Sequence, residues 1–309
     1  MKIAFLFAGQ GAQYIGMGKT FYQKYGSSKA FYDDIKLDFD VKQTCFEGPV
    51  EILNDTAYAQ SCILATSLAI AKALDTYHII PAYVAGLSLG EYSALTYAQA
   101  LTPADALEIV RQRGQIMANA LPAGSSKMAA VLNSDIAAIE AVCQEVHQEN
   151  SVCEIANYNS PAQTVITGSS DAIDKASALL LTKGVRRVIP LQVSGAFHSS
   201  LLLDASKKLK EVLDRYVLKT PRIPVVFNVS GDDSCASLQD NLLEQLYSSV
   251  KFMQSVEFMI AQGVDTFVEI GPGNVLSGFV RRINKDVKTY SIDSVESIEQ
   301  FVEEVKHGK

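Results

Sequence analysis

Tryptophan is missing from the 309 residues, histidine occurs only four times, and the five cysteines (Cys45, Cys62, Cys143, Cys153 and Cys235) include no Cys-x-x-Cys pair. Nothing here spells out a zinc site or a dithiol redox centre, and an odd, irregularly spaced set suits a reducing cytoplasm better than a disulfide framework. No metal site and no resident cofactor are expected. Basic residues are in deficit, 27 against 34 acidic for a net charge of -7, which leaves no general affinity for nucleic acid and no polybasic membrane signature. An acidic partner has to be held by a local cationic spot. Repeats and low-complexity tracts are absent. The apolar run that follows Met1 stops at Gly9, too soon for the core of a secretion signal. No apolar stretch continues uninterrupted for the roughly 18 residues of a membrane span. A soluble, cytoplasmic, monomeric protein is expected.

Apolar residues make up 48% of the chain, enough for a large core and for one large unit with a smaller one beside it. The run over 3–8 is apolar throughout and ends in glycine, as a strand buried on both faces of a parallel sheet would. It leads into Gly9-Gln10-Gly11-Ala12-Gln13. This stretch allows two readings, a loop whose free amides approach a ligand or an ordinary strand-to-helix turn; its spacing is not that of a phosphate loop. A helix apolar nearly all round covers 57–77 and an extended run covers 79–85. Then comes Gly86-Leu87-Ser88-Leu89-Gly90-Glu91, with a helix over 91–100. A serine between two such glycines on a strand-to-helix turn has the context of a nucleophile elbow, where bulk two residues to either side would block the sharp reversal. The alternative is a glycine-bounded turn with an incidental serine.

Thr102-Pro103-Ala104-Asp105 starts the next helix with a capping threonine, an early proline and an acid in the first turn. On its wheel Ala106, Val110, Arg113 and Met117 share the apolar face, with Glu108, Arg111, Gln112 and Gln115 on the other side. A guanidinium on an apolar face needs partners. Arg113 is therefore either half of a structural ion pair or a clamp for an anionic substrate group.

From Lys127 the pattern becomes strand (128–132), helix (134–148), strand (152–158), strand (164–167), helix (171–183), strand (185–193). That order is ferredoxin-like. A small inserted domain over 127–193 is expected, with joints at 121–126 and near Ser194-Gly195, and a ligand cleft where it meets a large domain built from 1–126 and 194–309. His198 falls on the second joint, before a helix over 201–216. Beside a helix N-terminus an imidazole stays neutral and accepts protons; a surface or capping histidine is the other reading. Strands over 224–229 and 266–270, a helix over 275–283, a strand over 288–291 and a helix over 295–306 complete the chain.

A serine on an elbow, a neutral histidine, an amide-rich loop and an inward arginine together suit acyl transfer. The set resembles the malonyl-CoA:acyl carrier protein transacylases of fatty acid synthesis over essentially the whole chain. The resemblance rests on the Gly9 and Gly86 motifs, Arg111-Gln112-Arg113-Gly114, Asn157-Tyr158-Asn159-Ser160-Pro161, Val165-Ile166-Thr167-Gly168, Gly195-Ala196-Phe197-His198-Ser199, and Glu269-Ile270-Gly271-Pro272-Gly273. It implies a large α/β-hydrolase-like domain with a parallel sheet, carrying a small ferredoxin-like insertion. It further implies that Ser88 takes malonyl from malonyl-CoA as an ester, with His198 as base and the backbone amides of Gln10 and Leu89 as oxyanion hole. Arg113 would hold the malonyl carboxylate, and Phe197 would crowd a methyl branch. The acceptor would be the phosphopantetheine thiol of an acidic acyl carrier protein, docked at Arg281 and Arg282 with Lys285; Lys207, Lys208 and Lys210 are a second candidate, or else a solvated helix face.

Two positions depart from the pattern. Leu87 stands where many members have histidine, and Lys251 stands where glutamine is usual and orients the histidine, either through its backbone carbonyl or through its side chain. A transacylase serving a polyketide synthase and a serine acyl hydrolase are the rival readings.

Overall fold

The Ile3–Phe7 run has no polar side chain to offer to water, so it forms a stable strand only with both faces covered. It becomes β1, buried at every residue, in the middle of a five-stranded sheet. The computed structural model describes residues 1–148, 151–193 and 195–306. Ser194, one half of the expected second joint, lies outside the described residues. The remaining strands are β2 (Tyr83–Gly86), β3 (Ser126–Leu132), β4 (Cys153–Ser160), β5 (Gln163–Ser169), β6 (Arg187–Pro190), β7 (Val225–Val226), β8 (Thr266–Ile270) and β9 (Lys288–Ile292).

The first sheet has the order β7-β2-β1-β8-β9 with every pair parallel. Parallel strands end on the same edge, so the segments that follow β1, β2, β7 and β8 all emerge together there. Helix Thr56–Asp75 packs against it and is 20 residues long, with Asp55 capping it by accepting from the Ala57 amide at 2.8 Å. By length and apolar composition this helix could cross a membrane, contrary to the expectation that no stretch reaches that size; 83% of its apolar window is buried inside the protein. It is a core helix.

The second sheet has the order β4-β5-β3-β6 with every pair antiparallel. This is the strand order of a ferredoxin-like unit. Side chains along β3 alternate as a half-and-half strand demands: Ala129 and Val131 join Ile139, Val142 and Ile173 in a core of the unit's own, whereas Met128 and Ala130 join the large core. The second sheet is also joined by backbone to the segment between helices Leu238–Tyr247 and Phe252–Ala261. Tyr158 N–H donates to the Val250 carbonyl at 2.9 Å, and Val250 N–H to the Ala156 carbonyl at 2.8 Å.

Several features differ from expectation, among them β2, which spans Tyr83–Gly86 where 79–85 was expected. β7 has two residues where 224–229 was expected, because Phe227 and Asn228 turn their amides to Asp232 and Glu91 in place of the sheet. β6 spans Arg187–Pro190 where 185–193 was expected. Arg111, placed on the solvent side of its helix, is buried: both ends of its guanidinium bond Asp38 (2.7 and 2.8 Å), and it lies between the rings of Phe39 and Tyr58.

Candidate active site

β2 ends at Gly86 and helix Leu89–Tyr97 begins three residues later. The reversal forces Ser88 to φ 52° and ψ -102°, a sparsely populated region worth about 1–3 kcal/mol of strain that surrounding structure must hold in place. The flanking glycines are there for contact. A Cβ on Gly86 would lie 2.0 Å from the Gly90 carbonyl carbon, and one on Gly90 would lie 2.1 Å from the Phe7 oxygen. The elbow is thus wedged against the end of β1.

His198 meets the serine from 110 residues further along, with Nε2 2.8 Å from Ser88 Oγ. Its Nδ1 lies 2.8 Å from the Gln245 carbonyl. A carbonyl only accepts, so Nδ1 carries the proton and Nε2 presents its lone pair to the serine hydroxyl. Burial, followed by the charge of Arg113, pushes the imidazole down from 6.5 to about 4. The neutrality expected of this histidine comes from those two causes. The segment after it opens with a short 3-10 turn, Ser200–Leu202, that runs directly into helix Leu203–Leu213.

The orienting role expected of Lys251 falls to Gln245. Gln245 sits in the last turn of helix Leu238–Tyr247, where carbonyls have no partner within the helix. Its carbonyl takes His198 Nδ1, and the next one, Leu246, takes the His198 backbone amide at 3.2 Å. Lys251 shares a neighbouring cavity of about 570 Å³ with His198, but its recorded bonds are backbone ones, its amide to the Asn228 carbonyl and its carbonyl to Ser255.

Arg113 is 1% exposed. Its Nη1 donates to Gln60 Oε1 (2.7 Å), and its Nη2 to Ser88 Oγ (3.1 Å) and Gln245 Oε1 (3.0 Å). The guanidinium lies 5.2 Å from the Tyr92 ring centre. Its Nε is buried without a partner, and among the described residues no carboxylate lies within ion-pair distance. Of the two readings of this arginine, the structural ion pair is the one the contacts do not support.

Ser88, His198, Arg113, Gln10, Leu89 and Phe197 all line one cavity of about 410 Å³. The Gln10 loop is pinned at its rim, with Gln10 Nε2 donating to Thr56 Oγ1 at 2.9 Å and Gln13 Nε2 to Asn54 Oδ1 at 3.0 Å. Among the described residues the backbone amides of Gln10 and Leu89 have no recorded acceptor. Leu87 also lines the cavity. Arg281 and Arg282 stand apart, exposed on the last turn of helix Val275–Ile283, with Arg281 donating to Thr289 Oγ1 at 3.0 Å. Lys207 and Lys210 pair with Asp204 and Asp214 of their own helical stretch.

This arrangement is that of a serine acyl-transfer centre, and comparison with known proteins agrees. Residues 4–302 match the acyl transferase domain family. The chain belongs to that family. A malonyl CoA-acyl carrier protein transacylase of Bacillus subtilis is 45% identical over 309 residues, covering 99% of this chain and 98% of the relative. The crystal structure of malonyl CoA-acyl carrier protein transacylase from Clostridium perfringens superposes with a TM-score of 0.96 at 37% identity, covering 100% of this chain and 98% of the other. A second structure, a type II PKS acyl-carrier protein in complex with its malonyl-transacylase, matches at TM-score 0.93 and 33% identity, covering 98% of this chain and 99% of the other. The protein is an acyltransferase with the mixed α/β fold of these relatives.

Four residues of the acyltransferase site escaped the sequence reading: Gln60, Glu91, Asn228 and Gln245. Glu91 is wholly buried and accepts from the Asn228 amide (2.7 Å) and Asn241 Nδ2 (2.8 Å); burial pushes its carboxyl up from 4.5 to about 7.

His198 stands as the free base, and its proton affinity lies below that of an exposed imidazole. Single-turnover acylation of Ser88 is therefore expected to hold level as pH falls through 6.5 and to drop only on approach to about 4. A loss centred on 6.5 and assigned to His198 by nuclear magnetic resonance titration would contradict the buried, arginine-facing histidine.

Proposed function

We propose that the acyltransferase moves a malonyl group from malonyl-CoA to the phosphopantetheine thiol of acyl carrier protein, supplying extender units for fatty acid synthesis. The relatives named above support the substrate pair. The observation that carries it is the Arg113 guanidinium, buried beside Ser88 Oγ and partnered by a hydroxyl and two amide oxygens. Such a cation favours an acyl group that brings its own carboxylate. Because Arg113 lies at hydrogen-bond distance from Ser88 Oγ, the carboxylate must sit one methylene from the ester carbonyl, as it does in malonyl; longer diacids overshoot.

In the first half-reaction His198 Nε2 takes the Ser88 proton as Oγ attacks the thioester carbonyl. The tetrahedral oxyanion lies between the Gln10 and Leu89 amides. His198 then gives the proton to the departing coenzyme A thiolate, leaving malonyl-serine. The second half-reaction runs the same steps in reverse order with the carrier's thiol as nucleophile, and Ser88 regains its hydrogen. Phe197, next to the histidine and lining the same cavity, crowds the α-carbon and disfavours a methyl branch. The acidic carrier is read as docking at Arg281 and Arg282. Residues 127–193 are read as the smaller domain, and the enzyme as a cytoplasmic monomer in which malonyl-CoA and the carrier's arm are substrates, with no resident cofactor. The carrier of a polyketide pathway is the rival acceptor, favoured by the relative solved with one; kcat/KM measured with carriers of both pathways separates them.

Intact-protein mass spectrometry should find malonyl on the wild type and none on Ser88→Ala. Arg113→Ala is expected to cut malonyl transfer by about 10²-fold and to shift the malonyl-to-acetyl preference toward acetyl; an unchanged preference refutes the clamp. Arg281→Glu with Arg282→Glu should raise KM for the carrier about tenfold or more while acylation by malonyl-CoA keeps its rate.

A further inference from the structure

Asn228, just beyond β7, is 1% exposed and does not line the cavity, yet it makes four hydrogen bonds around the elbow. Its Oδ1 accepts from the Ser88 amide at 2.7 Å, and its Nδ2 donates to the Gly86 carbonyl at 2.7 Å. Its own amide donates to Glu91 Oε2 at 2.7 Å, and its carbonyl accepts from the Lys251 amide at 2.8 Å. Glu91 uses its other oxygen to accept from Asn241.

Ser88 occupies a backbone region that persists only where neighbours over-determine it. The amide of a residue just ahead of a helix has no partner within that helix. The Asn228 carboxamide fills that need from outside, bridging the carbonyl that precedes the bend and the amide within it. A carboxamide has one accepting and one donating end, so only one arrangement of the peptide plane satisfies both bonds. By engaging the Ser88 amide it also leaves the Leu89 amide as the elbow's free donor. A wholly buried carboxyl such as Glu91 is costly unless hydrogen-bonded, and one of the two hydrogen bonds it accepts fixes Asn228.

We propose that Asn228, held by Glu91, is a positioning residue that locks the Ser88 backbone and so aims Oγ at His198. This rests on Ser88 being the nucleophile. The test compares Asn228→Ala, Asn228→Asp, Glu91→Ala and Glu91→Gln in the full chain, with Ser88→Ala as reference, by single-turnover acylation with malonyl-CoA and thermal melting. Asn228→Ala should slow acylation about 10²-fold, while the dissociation constant for malonyl-CoA, measured in the Ser88→Ala background, stays the same with and without it. Asn228→Asp keeps an acceptor for the Ser88 amide and loses the donor to Gly86, so its rate should fall between. Glu91→Gln should acylate about tenfold faster than Glu91→Ala, because the Asn241 amide can turn its oxygen toward the new donor. A folded Asn228→Ala that acylates like wild type overturns the proposal. Should that variant not fold, equal rates in the two Glu91 variants overturn it. Malonyl found on Ser88→Ala would instead overturn the nucleophile assignment itself.

Discussion

A guanidinium held by amide oxygens in a dry pocket sets the electrostatics of everything near it. Arg113 has lost its hydration and gained no carboxylate, so its field falls on its neighbours. It pushes the imidazole of His198 toward the neutral form and favours ionisation of buried Glu91, opposing the larger effect of burial there. It also donates to Ser88 Oγ, which faces His198 Nε2 as well. One charge, placed by one helix face, thus bears on both Ser88 and His198.

The parts of this centre legible in the sequence are those fixed by local sterics. Gly86 and Gly90 mark the elbow because no other side chain fits there, and that holds whatever surrounds the turn. Arg113 was legible because a charge on an apolar stripe is costly wherever the stripe goes. The order of strands and helices over 127–193 likewise carried the topology of the second sheet. In contrast, Gln245 orients His198 through a carbonyl at a helix end, a property of where the helix stops, and its carboxamide reaches Arg113 and the Ser88 carbonyl only because the fold brings distant segments together. Asn228 reaches the elbow across neighbouring strands, which no spacing along the chain records.

The misplacements have the same origin. Lys251 stands where the resemblance puts an orienting residue, acting by backbone carbonyl or by side chain, and nothing in the spacing shows that the carbonyl facing His198 belongs to Gln245. Arg111 was put on the water side because a helical wheel does not see Asp38, Phe39 and Tyr58, brought in by a distant segment. The Thr56–Asp75 helix, whose all-round apolar pattern reads as a buried helix and is one, is long and apolar enough for a membrane span because burial by protein and burial by lipid select the same residues.

The backbone seam between Val250 and β4 has a mechanical meaning. The segment from Gln245 to Lys251 grips the imidazole at one end, the Asn228 hub at the other, and the edge of the second sheet between them. Pulling the edge of the second sheet away from this segment would draw the His198 ring away from Ser88. A crevice whose walls are tied by one segment suits a guest thin enough to enter without parting them.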